Sequence, residues 1–196
     1  MNLEIKPIGI IGAMDNEIEL LKSSMEIRKM EAIAGMTYYC GMLCGQEVVL
    51  VRCGIGKVNA AICAQLLSTH FGVGRIINTG VAGSLNKDIN IGDIVVSTDA
   101  VQHDMDCTSL GYAKGIIPDN EFSFFQADEN MRRSAVESVK IAAPGKTSLR
   151  GVWPRATVLS RILPTNRQLS RNSAPSAVRW RVPPSDRSVP RTGFPL

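Results

Sequence analysis

Near Pro144, Gly145 and Lys146 the chain changes chemical character, and this break limits what each side can fold into. Residues 1–145 carry 12 Lys+Arg against 17 Asp+Glu, together with all five cysteines. Residues 146–196 carry 10 Lys+Arg, nine of them arginine, against a single acid, Asp186. Seven of the ten prolines and both tryptophans also fall there. A stretch such as AVRWRVPPSDR (177–187) has neither a helical nor a strand-like apolar period. Its prolines cannot donate to a ladder. The net charge of +4 therefore hides an acidic first part and a strongly basic tail.

The first part is long enough to bury a core, and one domain is the default for 196 residues. No apolar run is long enough to span a bilayer. The opening MNLEIKPIGIIGAM lacks the basic start and cleavage site of a secretory signal, and Glu4 is acidic. Cys40, Cys44, Cys53, Cys63 and Cys107 form an odd set without a C-x-x-C pair. They read as reduced and mostly buried thiols of a cytoplasmic protein, and not as a zinc site.

Residues 5–12 are an apolar run ending in glycine, the pattern of a buried strand. Asp15-Asn16 offers an N-cap, and Ile18, Leu20, Leu21 and Met25 follow a helical period. Residues 36–44 and 48–52 flank Gly45-Gln46 and predict a hairpin. Residues 58–71, VNAAICAQLLSTHF, predict a long helix. RIINT (75–79) and DIVVS (93–97) read as strands, and residues 130–143 as a helix. This alternation predicts an α/β domain with a parallel or mixed sheet. Ligands of such sheets sit beyond the carboxyl ends of strands, where Gly12, Gly54 and Gly80 fall.

None of these glycine turns matches a dinucleotide or P-loop fingerprint. Gly54-Ile55-Gly56 has Asn59 in the third glycine's place, and Gly56-Lys57 lacks a following Ser/Thr. They are tight turns that let a ligand approach the backbone. His103, Asp104 and Asp106 read as solvated loop residues and not as a metal site. His70 reads as a helix-end cap.

Four segments in fixed order carry a resemblance: IGIIGAMDNEIELL, VRCGIGKVNAA, IINTGVAGSL with INIGDIVVS, and HDMDCTSLGYAKGIIP. Together they resemble the bacterial 5′-methylthioadenosine/S-adenosylhomocysteine nucleosidases of the nucleoside phosphorylase superfamily, over residues 8–150. The resemblance implies an α/β three-layer sandwich around a mixed sheet, incomplete at the C-terminus. Residues 1–150 would be the N-terminal part of the domain and 151–196 an out-of-frame, disordered tail. It implies a homodimer without cofactor, metal, nucleic acid or membrane partner. The implied reaction is hydrolysis of an N-glycosidic bond to release adenine and a 5-thioribose, a step of methionine salvage. Such a reaction passes through an oxocarbenium-like sugar and needs a carboxylate to activate water and an acid to protonate the base.

By its place in GAMDNE, Glu17 matches the water-activating glutamate. Its plainer role is a first-turn acid that stabilises a helix. Met14 matches a residue against the ribose, and Ile55 one lining the alkylthio pocket. Val81, Ala82 and Gly83 match the turn along the nucleoside, with Val81 where the family often has serine. Leu110 and Pro118 match positions reaching into a neighbouring subunit's site, and Leu110 is often aromatic in the family. Phosphorolysis by a purine nucleoside phosphorylase is the alternative; it needs cations where GAMDNE offers acids. A remnant that only dimerises is another.

The family continues with S-G-D-x-F-I and then M-E-x-E or E-M-E-G segments, and neither occurs after Arg150. A later aspartate is the family's general acid. Shifting the frame by one base changes the picture. Trp153 has the single codon TGG, and around it the shifted frame permits V-A-S-G-D-x-F-I. Around Trp180 the same shift permits C-E-M-E-G-A-A, and the last residues permit N-G-I-P-F. Each position leaves a leading base free, so the joint and ordered match carries the inference. Residues from about Gly151 onward are expected to be an out-of-frame translation. The basic tail then needs no nucleic-acid partner, and the 196-residue chain is expected to be inactive.

Overall fold

The computed structural model describes residues 6–83, 89–143 and 148–155, the last as backbone alone. The described residues divide into two compact units, one ending at Gly80 and one beginning at Val81.

In the first unit, β1 (Ile8–Gly12) leads into α1 (Asp15–Ser23), followed by β2 (Glu26–Ile33), β3 (Met36–Leu43), β4 (Gln46–Arg52), α2 (Lys57–Thr69) and β5 (Arg75–Asn78). The five strands form one sheet in the order β2-β3-β4-β1-β5. β1 pairs in parallel with β4 and β5, while β2, β3 and β4 form an antiparallel meander. The sheet is mixed.

Alternation along β1 sorts the helices onto opposite faces. Ile8 and Ile10 pack with Ile18 and Leu21 of α1 and with Val48 and Leu50 of β4. Gly9 points the other way: a Cβ there would lie 3.1 Å from Leu67 Cδ1 of α2. A side chain at that position would make the Leu67, Ile76 and Val73 side chains give by a few tenths of an ångström. Cys63, Ala64 and Leu67 of α2 and Val51 of β4 are buried. Helix, sheet, helix is thus the layering of this unit, as the resemblance implies.

Two-residue turns close both hairpins. Ala34 and Cys44 each hold a positive φ, 51° and 48°, ahead of glycines at 74° and 76°. Positive φ at both central residues suits the right-handed twist of the flanking strands. β2 was not foreseen. Its sequence, EIRKMEAI, carries charges at both parities and is mostly exposed along its length. It is the sheet's edge, where charge discourages pairing with foreign strands.

In the second unit, β6 (Ile94–Gln102) sits between β7 (Phe124–Gln126) and β8 (Ser148–Arg155). β6 extends five residues past the expected strand, and the three-residue β7 was too short for any periodic signal. β8 runs parallel to β6, from Ile94↔Ser148 to Gln102↔Arg155. The helix α3 (Glu129–Ala142) buries Val136 and is capped by Asp128, whose carboxylate accepts the Met131 N–H at 2.9 Å. Asp128→Ala should cost about 1 kcal/mol. A urea midpoint that does not move would show the cap to be idle.

Three expectations need correction. Leu20, counted in the helical period, is 78% exposed, whereas Met25 is buried but lies beyond the end of α1. The helix starts at Asp15, with Met14 and not Asp15-Asn16 as N-cap. Only Cys53 and Cys63 are buried; Cys44 is exposed and Cys40 and Cys107 are intermediate. Among the described residues no helix is long and apolar enough to cross a membrane. Residues 151–155 of the tail expected to be disordered lie in β8, and residues 156–196, the rest of it, lie outside the described residues.

Candidate active site

The parallel core of the first unit brings three strand ends together. Beyond β1, the Cys53 N–H donates to the Gly12 carbonyl at 2.9 Å, and the Thr79 N–H donates to the Ile11 carbonyl at 2.9 Å. The turns after β1, β4 and β5 are therefore neighbours, at the place where α/β sheets bind ligands.

Glu17 is the acid held at this place. Its Oε2 accepts the Ala13 N–H at 2.7 Å and the Met14 N–H at 3.0 Å. These donors are available because Ala13 and Met14 precede the helix, where N–H groups have no partner within it. The third helical position is also where a carboxylate reaches back to the N-cap N–H. The capping role and the catalytic candidacy therefore coincide in one group. The cap supplies the fixed orientation that a base needs.

Gly80 completes the cradle. A Cβ there would lie 2.6 Å from Glu17 Oε1 and 3.0 Å from its Cδ. Only glycine leaves the carboxylate this close to the backbone after β5. Gly12 serves the same end from below, since a Cβ there would lie 2.4 Å from Ile18 Cγ2. Sequence reading located Gly12, Gly54 and Gly80 at strand ends. It missed the backbone donors of Ala13 and Met14, which no side-chain letter displays.

The other expected residues divide between the units. Met14 is half-buried beside Glu17, and Ile55 is exposed on the turn before α2. The Asn59 side-chain amide donates to the Ile55 carbonyl at 2.9 Å and so fastens that turn. Val81, Ala82 and Gly83 follow Gly80 and are exposed; Leu110 is exposed on a 3-10 turn (Thr108–Leu110), and Pro118 is half-buried. All five belong to the second unit.

Other charged residues have other tasks. The Arg52 guanidinium, at the end of β4, pairs with Asp15 at 3.1 Å. His70 caps α2 through its backbone, but its ring bonds Glu31 of β2 at 2.7 Å and stacks edge-on to Phe71. The Lys29 ammonium and then His70 hold the Glu31 carboxyl below the usual range. Asp106 accepts from Thr108 N and Oγ1 and pairs with Lys114, which together pull its carboxyl to about 2. That loop carboxylate caps a turn, and among the described residues no group of three His, Cys, Asp or Glu could hold a metal.

The fold has relatives among known proteins. Residues 7–152 match the phosphorylase superfamily. The chain is 43% identical over 143 residues to the 5′-methylthioadenosine/S-adenosylhomocysteine nucleosidase of Halalkalibacterium halodurans, covering 72% of this chain and 62% of that protein. The chain thus spans about three fifths of the length of such curated relatives. Among solved structures, the nucleosidase of Colwellia psychrerythraea in complex with adenine aligns with TM-score 0.78 and 31% identity, over 86% of this chain and 69% of that one. The nucleosidase of Neisseria meningitidis in complex with methylthio-immucillin-A aligns with TM-score 0.76 and 33% identity, over 87% and 74%. The chain belongs to the phosphorylase superfamily, in its branch of 5′-methylthioadenosine/S-adenosylhomocysteine nucleosidases.

Proposed function

We propose that the Glu17 site is built to hydrolyse the N-glycosidic bond of 5′-methylthioadenosine and S-adenosylhomocysteine. The observation that carries this reading is the Glu17 carboxylate, held by two backbone N–H groups beneath Gly80. A carboxylate fixed in this way accepts a proton from a bound water. The water oxygen then bonds to the anomeric carbon as the bond to adenine breaks and its electron pair leaves with the base. Adenine and a 5-thioribose result. Met14 and Ile55 supply apolar surface for the ribose and the 5′-thio substituent. Val81, Ala82 and Gly83 run along the nucleoside, and Leu110 and Pro118 serve the site of a second copy in a homodimer. The free thiols fit a cytoplasmic protein.

Water suits this site better than phosphate. Phosphorolysis needs uncommitted cations, and Arg52 at the β4 end is already paired with Asp15.

The departing adenine also needs a proton donor. The resemblance puts that donor beyond the two segments that residues 151–196 do not contain. Asp186, the tail's one acid, follows Ser185 among prolines and arginines, outside the described residues. We therefore expect no adenine release from methylthioadenosine by the 196-residue chain. Release is expected from the frame-restored chain, in which the gene is read one base out of register after the Arg150 codon. Resequencing the gene across the codons for Lys140 to Leu196 and beyond checks the frame directly. A folded frame-restored chain that leaves methylthioadenosine intact would remove the nucleosidase reading. Adenine release by the 196-residue chain would remove the reading of the tail.

A further inference from the structure

Where a dinucleotide fingerprint would place its third glycine, this chain has Asn59, and the structure gives that residue a task. The turn it serves, Gly54-Ile55-Gly56, follows β4 at the mouth of the sheet. Gly54 holds a φ of 82° and Gly56 one of 109°. Two glycines leave the residue between them many alternatives, and ordering it costs entropy. Burial does not order it, because Ile55 is 58% exposed.

Asn59 supplies a tie. It is the third residue of α2, whose N-cap, Gly56, has no side chain to cap with. The Asn59 Nδ2 donates to the Ile55 carbonyl at 2.9 Å. The same nitrogen lies 3.1 Å from where a Gly54 Cβ would sit, so the bare Gly54 gives the amide its room. The next residue, Ala60, is buried and donates to the Gly56 carbonyl at 3.1 Å. The amide is thus anchored on the helical side of the turn. Fixing the Ile55 carbonyl limits the backbone rotation that sets where its side chain leaves the turn.

We propose that Asn59 is a positioning residue for substrate: through the Ile55 carbonyl it holds the Gly54–Gly56 turn in the form that receives the 5′-thio substituent. This role rests on the nucleosidase reading and adds to it a residue that acts through another. When the tie is lost, the competent turn is only a fraction of the population, and apparent affinity falls by that fraction. The chemical step stays with Glu17, so kcat should hold.

Asn59→Asp in the frame-restored chain tests this. The substitution keeps the shape, removes the donor and sets a carboxylate oxygen against the Ile55 carbonyl. An acid in the first turn of a helix is favourable, so the protein should fold. The expected result is a KM for methylthioadenosine raised about five- to tenfold, with kcat within a factor of about two. The inhibition constant of adenine, which has no 5′-thio group, should stay unchanged. Asn59→Ser should restore most of the affinity. Hydroxyls in this chain already reach carbonyls four residues back, Ser24 to Leu20 and Thr69 to Gln65, both at 2.8 Å. The opposing expectation is that the amide only helps to start a helix. In that case KM is unchanged in Asn59→Asp, or KM and the adenine constant rise together, or Asn59→Ser recovers nothing; any of these overturns the proposal. A wild-type frame-restored chain that releases no adenine would instead remove the nucleosidase reading, and this role with it.

Discussion

In the frame-restored chain, Glu17→Gln is expected to lower kcat for adenine release by about 10²–10⁴-fold while leaving the protein folded. Glutamine keeps the size of the side chain and keeps an oxygen for the Ala13 and Met14 N–H groups, which lie 2.7 and 3.0 Å from the glutamate. What it loses is the ability to take a proton from water. Binding of a nucleoside analogue should change little, since the ribose and base contacts belong to other residues. The helix should also survive, because a neutral acceptor at the third position still serves the N-cap. A kcat that stays within a factor of about three would reduce Glu17 to a helix cap, its plainer role.

Gly80→Ala should separate position from chemistry. The new methyl group would sit 2.6 Å from Glu17 Oε1, at the far end of a side chain that can rotate away. The fold therefore loses little, and thermal stability should change by less than about 1 kcal/mol. The carboxylate must move, however, and its bonds to Ala13 and Met14 stretch or break. A displacement on the order of 1 Å at a reacting group costs about 10²-fold in rate. The expected signature is a large fall in kcat with an intact melting curve. A variant that melts early would mean that the cradle holds the fold and not the acid. A variant with full activity would mean that Glu17 works without it.

Much of this was legible from spacing. The apolar run closed by Gly12 gave β1, and the glycine turns at 54 and 80 marked the mouth of the sheet. Glu17 stood out only because GAMDNE stood in company with the other three segments; alone, an acid in a first helical turn belongs to countless helices. Other features escaped because their cause is tertiary. β2 is polar on both sides since it closes an edge, so neither periodicity nor burial announces it. β7 is three residues long and exists through its pairing with β6. His70 was expected to spend its side chain on the end of α2, but β2 brings Glu31 within 2.7 Å, and the ring bonds that carboxylate instead.

The topology of the first unit has a bearing on synthesis. Among the described residues, every strand of its sheet, and both helices that cover it, lie between Ile8 and Asn78. A ribosome that has released Gly80 has supplied all partners of the central strand, and Glu17 and its glycine ceiling with them. Whatever frame is read beyond Arg150 therefore acts after this half of the molecule has the means to assemble. An error downstream would reach a nascent chain whose first sheet already has its strands.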